Sequence, residues 1–270
     1  MLAATAVVSP WIAWALEAAL GRPFTFSRVW NRVFEVLLVV GLALAWRRLD
    51  LGGPSAIGFR RAGWARDLGR GLGAGTAGLG VGLALCWAGG ALRPQLRFEP
   101  VKTAQKALLG AGAAIAVGVG EEALFRGVVL RRLSLDMGRT AGIAVTTGIY
   151  AAVHAIGKSE KIARPTATAG FERLRTLFAP LARRRALPML VGLAAFGLLL
   201  AWARLRSGSL WLPIGIHAGW VGVFRVGRLF FEIEPWPAWL VGPGWPPVVG
   251  GAAGLVAVLV TWLLLRRTGR

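Results

Sequence analysis

The chain has 270 residues, 56% of them hydrophobic and 16% charged, with a mean hydropathy of +0.60 and a formal net charge of +20. Soluble domains run about 45–50% apolar and about 25% charged, so this composition excludes an ordinary soluble globule and matches a chain solvated by lipid. In a soluble protein the basic excess would point to nucleic acid; here Lys and Arg fall between long apolar runs, which makes anionic lipid headgroups the expected partner and nucleic acid none.

Apolar runs long enough to span a bilayer, or nearly so, follow one another at about 3–20, 29–46, 69–92, 107–130, 138–157, 187–204, 209–230 and 247–265. The expected fold is all-α, a polytopic bundle of about eight spanning helices with essentially no strand, forming one integral membrane domain over 1–270. The first run has no basic n-region before it and reads as a retained helix rather than a cleaved leader. It carries Pro10 and Glu17, which also suit a segment lying partly in the interface. The third run is rich in glycine. Gly71/Gly75 and Gly78/Gly82 have the small-xxx-small spacing of closely approaching helices, expected here inside one bundle. Cys86, the single cysteine, lies in the same run and excludes a disulfide framework and a four-cysteine metal site.

Residues 158–186 form the longest polar insertion, with Lys158, Lys161, Arg164, Arg173, Arg175 and Arg183–Arg185. Phe171, Leu174, Leu177, Phe178 and Leu181 recur among them at helical spacing. This suits an amphipathic helix on the membrane surface and equally a solvated basic loop; Pro180 would shorten such a helix. Basic loops occur on both sides of the runs, so charge asymmetry does not fix the orientation.

Ionisable side chains at lipid depth are costly and are functional candidates by default. Three places concentrate them: Glu121-Glu122-Ala123-Leu124-Phe125-Arg126-Gly127 in the fourth run, Tyr150 to His154 in the fifth, and His217 to Val221 in the seventh. His154 and His217 are the two histidines of the chain. Glu122 and Arg126 are i,i+4 and can pair on one helix face, which leaves Glu121 as the second carboxylate; Tyr150 and His154 share a face in the same way. A carboxylate beside another in a desolvated pocket suits a general base near neutral pH. Imidazoles near the same water can orient it, donate to an oxyanion or bind a metal. Each motif alone is equally explained as a helix tie or a satisfied polar residue; the three together are harder to explain that way.

The combination of Glu121-Glu122-x-x-x-Arg126, an aromatic Tyr150 four residues before His154, and His217 in the context Ser207-Gly208-Ser209-Leu210-Trp211-Leu212-Pro213-Ile214-Gly215-Ile216 resembles the CAAX protease and bacteriocin-processing (CPBP, or Abi) intramembrane endopeptidases. The core of the resemblance spans about 105–225, and Gly58-Phe59-Arg60-Arg61 upstream is also similar. The resemblance implies hydrolysis of a peptide bond in a protein or peptide substrate at the membrane interface, in a multi-pass protein of a prokaryotic cytoplasmic membrane. Glu121 and His154 would activate water, His217 would complete the catalytic set, and Glu122 and Arg126 would support it. The preferred mechanism requires no metal and assigns no metal ligand, although two glutamates and two histidines also suit a divalent ion such as zinc. Two positions depart from the family pattern: Tyr150 stands where Phe is usual, and Val221 stands where Asn or Asp is usual. Loss of one oxyanion donor costs on the order of 10²–10³ in rate. Trp220 offers an indole N–H nearby, but about 100° around the helix from Val221. Two other classes stand beside the protease: a catalytically impaired membrane scaffold or immunity-type protein, favoured by Val221, and a transporter or proton pathway, against which the sequence offers no inverted repeat.

Overall fold

The computed structural model describes residues 1–21, 25–156, 166–182, 186–243 and 248–267. In chain order the helices are α1 (Leu2–Leu20), α2 (Phe26–Ala45), the one-turn α3 (Pro54–Ile57), α4 (Trp64–Ala88), α5 (Pro100–Glu122), α6 (Leu130–Met137), α7 (Arg139–Ala155), α8 (Ala169–Leu177), α9 (Ala186–Ser207), α10 (Trp211–Gly227), the one-turn α11 (Ala238–Val241) and α12 (Ala252–Arg267). A π-helical segment, Ala123–Val129, joins α5 to α6 without a break. Each of the eight apolar runs thus holds a helix, as an all-α membrane bundle requires.

Four helical stretches are long and apolar enough to cross a membrane: Leu2–Leu20, Trp64–Ala88, the continuous Pro100–Met137 and Ala186–Ser207. The other four runs fall short of the eight expected spans for physical reasons. α2 is 20 residues long but carries Arg28, Arg32 and Glu35. α7 and α10 reach 17 residues and α12 reaches 16, below the roughly 20 that a bilayer core asks of a helix. The strands among the described residues amount to one short antiparallel ladder, β1 (Leu92–Pro94) with β2 (Phe231–Ile233), in keeping with a chain that has essentially no sheet. Three residues per strand are too few for periodicity to register.

The chain divides into two compact units, Met1–Asp50 with His154–Arg184, and Leu51–Val153 with Arg185–Arg270. In the first, α1 packs on α2 around Ala6, Ala13, Phe26, Val29, Trp30, Val33 and Ala169. α8 is a helix within the polar insertion, one of the two forms expected there. It buries Ala169, Gly170, Arg173 and Leu177 and leaves Phe171 and Phe178 exposed. Gly170 dictates this: a Cβ there would lie 1.9 Å from the Ala6 carbonyl oxygen, so the small-residue face is the one that meets α1. Arg173 is carried inward as a result, and burial pulls its pKa below the ordinary arginine value. Lys158, Lys161, Arg164 and Arg183–Arg185 lie outside the described residues.

The second unit is organised around α10. Every residue from Leu212 to Trp220 is buried, as expected of a helix that is apolar all round. Its closest neighbour is α4, and glycine makes the approach possible. A Cβ on Gly71 would stand 2.3 Å from Leu212 O, and one on Gly75 would stand 2.5 Å from Ile216 O. The second glycine pair serves α12: a Cβ on Gly82 would be 2.8 Å from Ala253 O. Both small-xxx-small pairs therefore pack within one unit. Gly75→Val should lower the unfolding midpoint in detergent clearly, since overpacking costs about 1–3 kcal/mol even where side chains can yield, and here the obstacle is backbone. Gly73, with nothing within 4 Å of its Cβ position, is the control; equal melting of Gly75→Val and Gly73→Val would refute the packing argument.

Candidate active site

Two of the three charged motifs lie on helices that pack directly together, α5 with its π continuation and α10. Gly118 lets them meet: a Cβ there would sit 3.1 Å from Ile214 O and 3.3 Å from Ala218 N. One turn further along each helix, Glu121 and Glu122 face His217. Immediately after Glu122 the ladder opens to the wider π spacing, and Leu130 N–H reaches back to Phe125 O. Such segments concentrate at functional sites because they redirect side chains within an otherwise regular helix.

Glu122 is the hub. It is fully buried, and its Oε1 accepts from Arg126 Nη1 at 2.9 Å and meets His217 Nδ1 at 2.7 Å. Arg126, 1% exposed, donates a second bond from Nη2 to Gly197 O at 3.2 Å and lies 4.4 Å over the Tyr150 ring. The expected Glu122–Arg126 pair is therefore present, but it also holds the imidazole. With Nδ1 directed at a carboxylate, the ring orientation is fixed and Nε2 faces the other way. There it stands 3.8 Å from Glu121 Oε2, beyond hydrogen-bond range and within ion-pair range. The Glu121 side chain is 31% exposed, although the Oε2 that faces His217 is itself buried, whereas the whole of Glu122 is sealed off.

Aromatic rings wall this cluster. Tyr150, itself buried, meets Phe125 edge-on at 5.2 Å and His217 at 6.4 Å. Phe196 meets His217 edge-on at 5.7 Å and stacks on Trp220 at 4.3 Å. Trp220 thus stands behind Phe196, and its buried Nε1 has no hydrogen-bond partner among the described residues. Val221 lies half-buried four residues after His217 on α10. His154 follows Tyr150 by one turn in the last turn of α7 and is the first residue of the other compact unit. Phe196 and Gly197 are the contributors that the sequence did not announce. They sit in an apolar stretch of α9 and act through a ring face and a backbone carbonyl, neither of which leaves a signal in residue type.

The donor set does not fit a metal. A catalytic zinc takes three protein ligands. Among the described residues no group of three His, Cys, Asp or Glu side chains is arranged to hold an ion, and Glu122 Oε1 is already engaged by a guanidinium and an imidazole.

A comparison with protein families matches residues 103–223 to the family described as Rce1-like, type II CAAX prenyl endopeptidase. No curated protein and no solved structure matches the chain. The matched segment begins in α5, ends in α10 and contains Glu121, Glu122, Arg126, Tyr150, His154 and His217. The chain is an integral membrane protein whose residues 103–223 match the Rce1-like CAAX endopeptidase family.

Proposed function

We infer that the protein hydrolyses a peptide bond of a protein or peptide substrate at the membrane interface, with Glu121 as the general base. The observation that carries this reading is the division of labour between the two glutamates. Glu122 is buried, paired and committed to His217, while Glu121 is partly exposed and lies 3.8 Å from His217 Nε2. Glu121 takes a proton from water as the oxygen adds to the peptide carbonyl carbon. It then returns that proton to the leaving nitrogen as the C–N bond breaks, giving a carboxylic acid and an amine. Glu122, itself held by Arg126, orients His217 through Nδ1, so that Nε2–H donates to the tetrahedral oxyanion. The family resemblance makes His154, one turn after Tyr150, the further candidate for orienting the water. No metal is required in this scheme. The substrate presents an extended segment near the headgroups, with or without a prenyl group, and the setting is a prokaryotic cytoplasmic membrane.

The test is cleavage of a broad peptide library, prenylated and unprenylated, by the purified full chain in a lipid nanodisc. Wild type should cleave, and Val221→Asn should cleave faster, because an amide four residues after His217 adds a second oxyanion donor on the same helix face. Val221 also supports the second reading, a relative that keeps the pocket as a scaffold. Background rates in both wild type and Val221→Asn, from folded protein, would decide for the scaffold.

A further inference from the structure

At one end of the second unit, two guanidinium groups meet on a single turn of helix and a third lies close by. Arg131 Nη1 donates to Ala56 O at 2.7 Å, and Arg204 Nη2 donates to Ile57 O at 3.3 Å. These are the closing carbonyls of α3. Gly58, with φ +113°, lets the Arg204 side chain lie flat on the loop; a Cβ there would stand 2.8 Å from Arg204 Nη2. Arg60 enters from the far side, its Nη1 3.0 Å from the Cβ position at Gly208. Arg131 and Arg60 are near enough to Arg204 for their charges to act on it. Among the described residues no carboxylate pairs with any of the three, and Arg204 Nε is buried without a hydrogen-bond partner.

Capping α3 explains one N–H of Arg131 and one of Arg204. It does not explain three full charges around carbonyls that carry only partial ones, nor the presence of Arg60, which an exposed cap does not need. A guanidinium has five donors, and like charges held together without a counter-ion repel. The surroundings indicate what the counter-ion is. The cluster sits where the apolar α9 ends and where α4 and α10 begin. Trp211 lies there with Phe59 at 5.4 Å and Trp64 at 5.6 Å, and its Nε1 donates to Arg60 O at 2.9 Å. Indole rings beside cations at the end of a spanning helix mark the depth of the lipid headgroups.

We propose that Arg60, Arg131 and Arg204 form a binding site for a phosphate oxyanion, supplied by the headgroup of an anionic phospholipid seated against the Phe59–Trp64–Trp211 rings. Each guanidinium offers paired N–H groups that match phosphate oxygens. The site is distinct from the glutamate–histidine cluster, and its occupancy does not depend on whether the protein cleaves peptides. It does touch the same architecture: a Cβ on Gly127 of the π segment would lie 3.3 Å from Ile57 O.

The experiment measures phosphatidic acid retained by the full chain, by native mass spectrometry from a neutral detergent and in phosphatidylcholine nanodiscs. Arg60→Gln, an exposed change, should weaken retention several-fold, and Arg60→Gln with Arg131→Gln by roughly tenfold or more. Removing charge elsewhere, at Arg225 and Arg228, should leave it unchanged. Melting curves show that each variant is folded, and Arg131→Lys, which keeps the charge, should retain most of the binding if Gln lowers it through charge loss. A second arm adds inorganic phosphate both to the protein loaded with phosphatidic acid and to the delipidated protein. Displacement of phosphatidic acid by millimolar phosphate supports an oxyanion site, whereas saturation by phosphate with no retention of lipid would overturn the headgroup assignment. Undiminished retention in the folded double variant, or loss only in the Arg225/Arg228 variant, would overturn the site.

Discussion

Glu121→Gln is expected to lower kcat/KM for peptide cleavage by roughly 10²–10⁴-fold, the usual worth of a positioned general base. The substitution keeps size and shape and removes the basic oxygen. It should lower the unfolding midpoint less than Glu122→Gln does, because Glu121 is 31% exposed and buried Arg126 keeps its carboxylate. Glu122→Gln should behave differently. It weakens the contact that fixes His217 and leaves Arg126 buried without a carboxylate, so rate and stability should fall together. Cleavage rates and melting curves on the same preparations separate the two glutamates. A Glu121→Gln protein that cleaves at the wild-type rate, beside a stable Glu122→Gln protein that does not cleave, would reverse the assignment.

The parts of this site visible in the sequence are those that violate the rules of their surroundings. Glu121, Glu122, Arg126, His154 and His217 stand out because charge at lipid depth is expensive, and Glu122–Arg126 was readable as a pair because i,i+4 is local geometry. The eight helices were readable for a similar reason, since an apolar run has little choice but to satisfy its backbone internally. What escaped depends on contacts distant in sequence. Nothing near Glu122 says that its strongest partner besides Arg126 is His217, 2.7 Å away on another helix. Phe196 reads as one more apolar residue of α9, and the π segment has no signature in residue type. The face by which α8 meets α1 was not legible either: Gly170 decides it, because a Cβ there would strike the Ala6 carbonyl oxygen. The cations at Arg60, Arg131 and Arg204 are far apart in the sequence, and only the fold, which docks Arg131 and Arg204 on α3, brings them together.

Arg126→Met should be the most destabilising single change at the site, by about 3–5 kcal/mol, the cost of stripping one partner from a buried ion pair. Arg126 is 1% exposed and Glu122 is fully buried, so no water is at hand to replace the lost bonds. The damage has three sources: Glu122 Oε1 loses a donor at 2.9 Å, Gly197 O loses one at 3.2 Å, and Tyr150 loses the cation 4.4 Å from its ring centre. Methionine fills much of the same volume, so little of the effect comes from a cavity. Combining Arg126→Met with Glu122→Gln should recover a substantial part of the stability, because a neutral pair of similar size no longer buries an uncompensated charge. Activity should not return with it: His217 Nδ1 would then face an amide instead of a carboxylate, and the imidazolium that donates from Nε2 would lose its stabilising partner. Unfolding in detergent and peptide cleavage, measured on the two single variants and the double, test both halves. An Arg126→Met protein as stable as wild type would mean that Glu122 is protonated in the native state and that the pair is not ionic. A double variant that regains both stability and rate would mean that Glu122 acts only through packing and that His217 needs no carboxylate behind it.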